Sequence, residues 1–341
     1  MAERDPMDRL EQELDAMLSD SGGAREAMEP EIAELVRIAA ALRDMPSPGF
    51  KARLRSELRS AARAESGAQE GMNMATSAVS PIRKGFHTLN PYVVVPGAAN
   101  VIEFLKTAFG AEDVLRIPDP REGRVGKLMH CEVRIGDSML ELSDASEQFP
   151  ARPMALHMYA PDADAVYARA VAAGATSLYA PVDQDYGDRE SGIKDPGGNI
   201  WYIATHKASG PDRYVPEGLR TVNIYVHAQG APALIEFLTR AVAATVELRI
   251  EDPDGRIAHA KLRVGDSILE MGEAHDQWQP MPGMIHSYVD DADAWYRRAM
   301  EAGGTSFAEP TNQTYGDRTA AIQDPAGNTW YFATHVRDVQ F

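Results

Sequence analysis

Two sets of side chains suited to metal binding and proton transfer recur along the chain at a constant spacing of 129 residues. The first set and its repeat are His130, Glu141, His157 and His259, Glu270, His286. Imidazole and carboxylate are ligands that Zn, Ni, Co, Mn and Fe take from proteins, and a catalytic ion usually needs about three of them. The sequence therefore predicts a divalent-metal site in each set, on which its three members converge.

Two other uses of these groups remain open. A buried carboxylate beside a neutral imidazole has a raised pKa and can remove a proton next to a carbonyl group without a metal. This makes Glu141 and Glu270 candidate catalytic residues. Alternatively, the histidines and glutamates hydrogen-bond one another and only line a wet pocket.

The elements that must position these groups are β-strands. Two segments in which apolar and polar residues alternate flank Gly136-Asp137, a pair typical of a hairpin turn. Pairing through this turn sets Glu132 opposite Glu141 and places His130 on the same polar face of the hairpin. The other face is apolar, so one side of the predicted sheet is core and the other carries the ionisable groups.

These strands belong to a repeat that occupies most of the chain. Its two copies span 86–207 and 219–336, and each predicts a strand, a helix, several strands, and then the same order again. Copies of this length exceed the repeats of solenoid proteins, so they predict two tandem domains of α+β class.

Five segments of the first copy, most of which recur in the second, have the order and spacing of a known family. They are Asn-Pro-Tyr-Val at 90–93, Ile-Glu-Phe at 102–104, Met-His-Cys-Glu at 129–132, Tyr-Gly-Asp-Arg at 186–189 and Asp-Pro-Gly-Gly-Asn-Ile-Trp at 195–201. Together they resemble the vicinal oxygen chelate (VOC) superfamily, which includes glyoxalase I, bleomycin-resistance proteins and extradiol dioxygenases, and within it the PhnB-like branch. The resemblance implies paired βαβββ modules that curl a mixed sheet around a small-molecule cavity.

The resemblance also implies positions for metal ligands, on the first and last strands of each module. Those positions hold Asn90, Glu141, His157 and Tyr202, and in the second copy Asn223, Glu270, His286 and Tyr331. The asparagines and tyrosines depart from the ligand sets of glyoxalase I and the dioxygenases. Methylglyoxal isomerisation and ring cleavage are therefore not expected in their familiar forms, and Tyr202 and Tyr331 become candidate substrate contacts.

Arg189 and Arg318 follow Tyr-Gly-Asp in the two copies. An arginine at this place can hold a substrate carboxylate or phosphonate through two hydrogen bonds. In the alternative, Asp188 pairs with the arginine or with a backbone amide, and the motif only holds a turn.

Composition limits the partners. The 341 residues include 34 Lys and Arg against 51 Asp and Glu, and the net charge of −17 should repel nucleic acids and anionic membranes. The charged N-terminus lacks the apolar core of a signal peptide, and no apolar run approaches the roughly 18 residues of a membrane span. The single cysteine, Cys131, excludes an internal disulfide. We expect a cytoplasmic protein that binds a small molecule and uses no nucleotide cofactor.

Residues 1–65 carry no trace of the repeat and have the apolar stripes of helices, whereas 66–85 have the composition of a linker. The helices are expected to act either as a cap or homodimer arm, or as a docking segment for a regulatory protein. Three functions follow for the whole chain. They are a metal-assisted isomerase or lyase acting on a small polar metabolite or drug, a non-catalytic sequestration protein of the bleomycin-resistance type, and a ligand sensor that signals through the N-terminal helices.

Overall fold

The computed structural model describes residues 79–207 and 213–339. The helical extension predicted at 1–65 and the linker up to residue 78 lie outside the described residues. The roles expected for them stay predictions. No helix in the described part of the chain is long and apolar enough to cross a membrane.

Four modules of one helix and four strands follow one another along the chain. The first copy of the repeat supplies β1 (Leu89–Val95), α1 (Ala98–Phe109), β2 (Glu112–Pro118), β3 (Leu128–Ile135), β4 (Ser138–Asp144), β5 (Ala155–Tyr159), α2 (Ala163–Ala172), β6 (Thr176–Asp183), β7 (Asp188–Lys194) and β8 (Ile200–His206). The second copy supplies β9 (Val222–Ala228), α3 (Ala231–Ala241), β10 (Thr245–Glu251), β11 (Ile257–Val264), β12 (Ser267–Glu273), β13 (Met284–Tyr288), α4 (Ala292–Glu301), β14 (Thr305–Asn312), β15 (Asp317–Gln323) and β16 (Thr329–His335). The predicted α+β class and the paired βαβββ modules are confirmed.

Each sheet combines one module from the first copy with one module from the second. Sheet A has the order β14-β15-β16-β13-β1-β4-β3-β2, so it joins the first module to the fourth. Sheet B has the order β10-β11-β12-β9-β5-β8-β7-β6 and joins the second module to the third. In each sheet the two copies meet at one antiparallel strand pair, β1–β13 in sheet A and β5–β9 in sheet B, and we call these two pairs the seams. Each of the two domains is therefore built from both copies of the repeat.

The helices cover one face of each sheet and leave the other face to the ionisable groups. Trp201 and Trp330 are buried in the core, and each indole donates a hydrogen bond of 2.9 Å to a buried aspartate, Asp195 or Asp324. Cys131 is buried on the same apolar side, where burial raises the pKa of its thiol to about 12. These contacts lie on the apolar side of each sheet, away from the ionisable groups.

The predicted hairpin register is confirmed in both copies. Glu132 lies opposite Glu141 in β3–β4, and Lys261 lies opposite Glu270 in β11–β12. The turn between β3 and β4 requires Gly136 at a φ of 59°, a conformation that glycine adopts without the cost that a Cβ atom would add.

Candidate functional site

Exchange of the modules changes which histidine meets which glutamate. His157 of the first copy contacts Glu270 of the second, with 2.8 Å between Nδ1 and Oε2. His286 of the second copy contacts Glu141 of the first, with 2.5 Å between Nδ1 and Oε2. The expectation that His157 converges with Glu141, and His286 with Glu270, is wrong, because the strands of each pair belong to different sheets. The two groups that form are His130, Glu141 and His286 in sheet A, and His259, Glu270 and His157 in sheet B.

The strand beside each of these glutamates, β1 in sheet A and β9 in sheet B, contributes a tyrosine. Tyr92 is in register with Glu141, and Tyr225 is in register with Glu270. The assignment of Asn90 and Asn223 to this position is corrected, because their amides bind the backbone at the seams. Asn90, for example, donates hydrogen bonds to the carbonyl oxygens of His87 at 2.7 Å and His286 at 3.2 Å.

Sheet B encloses a cavity of about 640 Å³ on its polar face. The lining is dominated by aromatic and ionisable side chains, which include His157, Tyr159, Tyr179, Tyr186, Asp188, Glu190, Tyr202, His206, Tyr225, His227, His259, Lys261, Glu270 and Trp278. The volume suits a small organic ligand, and apolar walls with a few placed polar groups are typical of ligand-binding sites.

Two polar atoms of the His157–Glu270 pair, which lines this cavity, are buried without a hydrogen-bond partner among the described residues. They are Nε2 of His157 and Oε1 of Glu270, on the far sides of the two groups that bond each other. The nearest basic atoms to Glu270 Oε1 are Nζ of Lys261 at 3.5 Å and Nε2 of His259 at 3.6 Å. A buried polar atom left unpaired costs about 1–3 kcal/mol, so this pair is ready to receive polar groups of a ligand.

The charges of the pair stabilise each other. Burial alone would lower the pKa of His157, but the adjacent Glu270 carboxylate outweighs it and raises the pKa. Burial alone would raise the pKa of Glu270, but the charge and hydrogen bond of His157, together with Lys261 and His259, hold the pKa well below its usual range. The pair is therefore an ion pair rather than a neutral general base with a raised pKa, which disagrees with the base role considered for Glu270.

Three aromatic side chains of the cavity lining, Tyr202, Tyr225 and Trp278, pack together, and we call them the aromatic wall. The ring of Tyr202 lies 5.2 Å from that of Tyr225 and 5.6 Å from that of Trp278, measured between centroids. The Tyr202 hydroxyl lies 2.7 Å from Nε2 of His227, whose pKa is lowered to about 4 by burial. Neutral His227 can therefore accept a hydrogen bond from the Tyr202 hydroxyl, and this contact fixes the orientation of the Tyr202 ring. Tyr202 faces the cavity as expected for a substrate contact, whereas Trp278 lies in a loop and was not predicted.

Glu190 is a second cavity carboxylate that sequence reasoning missed. Its oxygens accept hydrogen bonds from Tyr179 at 2.6 Å and Tyr186 at 3.2 Å, and Oε2 lies 3.5 Å from Nε2 of His157. Period-two alternation from Asp188 would have placed Glu190 on the polar face of β7.

Arg189 and Arg318 do not line the cavity. Alternation turns Arg189 to the opposite face of β7 from Asp188, where it pairs with Asp164 of α2. Arg318 pairs with Asp293 of α4 in the same way. The predicted contact with a substrate is therefore wrong. Asp188 does not hold the arginine either.

Asp188 instead joins two other side chains. It accepts hydrogen bonds from the Tyr159 hydroxyl at 3.1 Å and from Nδ1 of His206 at 2.5 Å. The same arrangement recurs in sheet A with Tyr288, Asp317 and His335. Because it is present in both sheets, it is a shared structural feature of the β7 and β15 modules.

Sheet A differs from sheet B because a side chain of the protein itself occupies its polar face. Arg83, just before β1, donates hydrogen bonds of 2.6 and 2.9 Å to the two oxygens of the buried Glu132. Its guanidinium lies 4.9 Å from the centroid of the Phe86 ring. His130 completes the cluster, with Nε2 at 3.3 Å from Glu132 Oε1 and 3.8 Å from Glu141 Oε1.

The donors fit a divalent cation in residue type, but each set already faces a cation of the protein. In sheet A, donor atoms of His130, Glu132 and Glu141 lie within 4.8 Å of one another, but Arg83 holds both oxygens of Glu132. In sheet B, Lys261 occupies the position that corresponds to Glu132, and it lies beside Glu270. A dication and the protein's own ammonium or guanidinium would compete for the same carboxylate.

The fold is that of a protein built from paired βαβββ modules, with a cavity on the polar face of one sheet. The family model of the Glyoxalase/Bleomycin resistance protein/Dioxygenase superfamily matches residues 86–203 and 224–332, and the chain belongs to this family. Glyoxalase I from Zea mays has a similar fold, with a TM-score of 0.53 at 15% identity over 72% of this chain and 92% of that chain.

Two mycobacterial relatives are closer in sequence. An uncharacterized protein of Mycobacterium tuberculosis (strain ATCC 25618 / H37Rv) is 35% identical over 146 residues, which are 40% of this chain and 79% of that protein. An uncharacterized protein of Mycobacterium bovis is 36% identical over 126 residues, or 34% and 80% of the two chains. The match covers most of each relative but less than half of this chain.

Proposed function

We propose that this protein binds a small organic molecule in the cavity of sheet B and that binding, rather than metal-assisted catalysis, is its principal activity. The observation that carries the proposal is the pair of unpartnered buried atoms, His157 Nε2 and Glu270 Oε1, on two residues that line a cavity of about 640 Å³. A ligand that bonds to them removes a cost that the free protein bears. The role is that of a sequestration protein within the family, and we place the chain in the PhnB-like branch on its motifs.

The proposal is tested by filling the cavity. Ala258 lines it on β11, and Ala258→Trp is expected to abolish binding of compounds found by calorimetric or thermal-shift screening of the full chain. The repeat offers a matched control, because Met129 of β3 is the counterpart of Ala258 in sheet A. Met129→Trp should leave binding unchanged. Equal losses in both variants, or no ligand from a broad panel, would contradict the proposal.

A second candidate function, a metal-assisted isomerase or lyase, is favoured by the donor cluster in sheet A. A bound Zn, Ni, Co, Mn or Fe ion would polarise a substrate oxygen there, and His130, Glu132, Glu141 and His286 would hold it. The ion would first have to displace Arg83 from Glu132. Metal analysis of full-length protein, purified without chelators or a metal-binding tag, decides the matter. Less than about a tenth of an equivalent per chain, with no gain on reconstitution, eliminates this function.

A further inference from the structure

Arg83 in sheet A and Pro216 in sheet B occupy equivalent places. The repeat relates the two positions at the spacing of 133 residues that also relates Asn90 to Asn223. Each residue begins the same turn ahead of the first strand, since its carbonyl accepts a hydrogen bond from the amide three residues on, at 3.0 Å for Arg83 and 3.2 Å for Pro216. The two sheets can therefore be compared position by position.

In sheet A this place holds a cation. The Arg83 guanidinium lies between a buried carboxylate, Glu132, and an aromatic ring, Phe86. Both partners favour positive charge, the first through charge-assisted hydrogen bonds and the second through the ring quadrupole. The polar face of sheet A thus carries its own organic cation.

In sheet B the corresponding cation is missing but a carboxylate and aromatic rings are present. Pro216 lines the cavity and adds no charge. Glu190 replaces Thr319 of sheet A, and the only basic side chain within 4.0 Å of it among the described residues is His157. Lys261 lies beside a different carboxylate, Glu270.

The remaining charges in the cavity favour a cation. Glu273 is occupied at the N-terminus of α3, where its oxygens accept the amide protons of Gly230 and Ala231 at 2.7 Å. The other lining carboxylates are Asp188, Glu190 and Glu270, against which the cavity sets only one lysine. Lys261 and the His157 member of the ion pair offset two of these three carboxylates, which leaves one negative charge beside rings that bind cations.

We propose that the ligand of sheet B is an organic cation, a guanidinium, amidinium or protonated amine carried on a flat apolar group. The proposal rests on the proposed binding function. The cationic head pairs with Glu190, and the flat group lies against the rings of Tyr202 and Trp278. Arg83 is the corresponding organic cation on the polar face of sheet A, where it pairs with Glu132 rather than with the counterpart of Glu190.

The test compares three molecules of the same shape and different charge. Benzamidinium, benzamide and benzoate are titrated into the full-length protein by isothermal calorimetry. Benzamidinium is expected to bind at least about tenfold more tightly than benzamide, with benzoate the weakest. Glu190→Gln, which keeps the hydrogen-bonding shape, should remove the preference for benzamidinium and leave benzamide binding unchanged. An unchanged melting temperature checks that the variant is folded.

The outcomes separate this proposal from the one on which it rests. Tighter binding of benzamide or benzoate would overturn the cationic ligand while leaving a binding cavity in place. Absence of benzamidinium binding at about 10 mM would overturn it as well. The binding function itself would fall only if the broad panel and the Ala258→Trp comparison also failed.

A second variant transfers the internal cation to sheet B. Pro216→Arg combined with Lys261→Glu rebuilds the Arg83–Glu132 pair at the cavity. If the introduced arginine side chain occupies the ligand site, the double variant should bind benzamidinium at least about tenfold more weakly than the wild type. Lys261→Glu alone should strengthen benzamidinium binding. Undiminished binding by the double variant would contradict the equivalence of the two places.

Discussion

Nδ1 of His157 lies 2.8 Å from Oε2 of Glu270, although the two residues are 113 positions apart and belong to different copies of the repeat. Their pairing across the β5–β9 seam makes the sheet B site a joint product of both copies.

Removal of one partner of the pair should be costly. His157→Ala leaves the fully buried Glu270 carboxylate with only Lys261 and His259 near it, and we expect a loss of about 3 kcal/mol in the free energy of unfolding. His157→Leu together with Glu270→Met should recover most of this loss, because neither member of the buried pair is left charged without its partner. Urea unfolding measures both. Equal losses in the single and double variants would show that the two residues are not coupled.

Stability should fall as the pH rises through neutrality, partly because of His87. Its hydrogen bond to Asp266, 3.0 Å from Nδ1 to Oδ2, raises its pKa against the opposing effects of burial and of Arg220. The contact with the Asp137 carbonyl oxygen also raises it. A pKa raised in the folded state contributes stability that is fully present below the unfolded value of about 6.5 and is lost above the folded value.

We expect the contribution of His87 to be no more than about 1 kcal/mol, because Asp266 is partly exposed to solvent. Unfolding free energies of the wild type and His87→Ala between about pH 5.5 and 8.5 isolate it, since His157 and His286 titrate in both proteins. The difference between the two curves should shrink with increasing pH. A difference that stays constant would assign the effect of the substitution to packing alone.

Trp278 should report ligand binding. It is the one tryptophan that lines the sheet B cavity, whereas Trp201 and Trp330 are buried in the core. Ligand binding should therefore change the tryptophan fluorescence, and Trp278→Phe should remove the change while retaining measurable affinity. Trp278→Ala should weaken binding by about tenfold through loss of the aromatic wall. A fluorescence change that persists in Trp278→Phe would place the ligand elsewhere.

The tight turns at the seam should tolerate no side chain. At Gly136 the φ is 59°, and an added Cβ would collide with the side chain of Thr221 from the other copy. Gly136→Ala is therefore expected to cost about 2 kcal/mol in urea unfolding, through backbone strain and the clash together. Gly110, with a φ of 70° and open space around it, is the matched control. Gly110→Ala should cost about 1 kcal/mol, from strain alone.

Local patterns predicted the parts of the fold that depend on near neighbours. The hairpin register that pairs Glu132 with Glu141 followed from a two-residue turn and alternation. The sequence patterns assigned no residues to four strands, β2, β6, β10 and β14, although the βαβββ modules that the resemblance implies include them. They form the edges of the sheets and are largely exposed on both faces, so burial does not mark them as core strands. In β10, however, Val246, Leu248 and Ile250 alternate with charged residues, and this signal could have identified the strand.

The sequence by itself determined the residue types of each site, the two copies of the repeat and the strand faces on which the ionisable groups lie. Only the tertiary structure decided that His157 meets Glu270 and that His286 meets Glu141. Repeated modules present nearly the same apolar surfaces, so no local pattern distinguishes pairing within a copy from pairing between copies. That choice is made by long-range packing at the seams, and so is the difference between a sheet that holds its own Arg83 and a sheet with an open cavity.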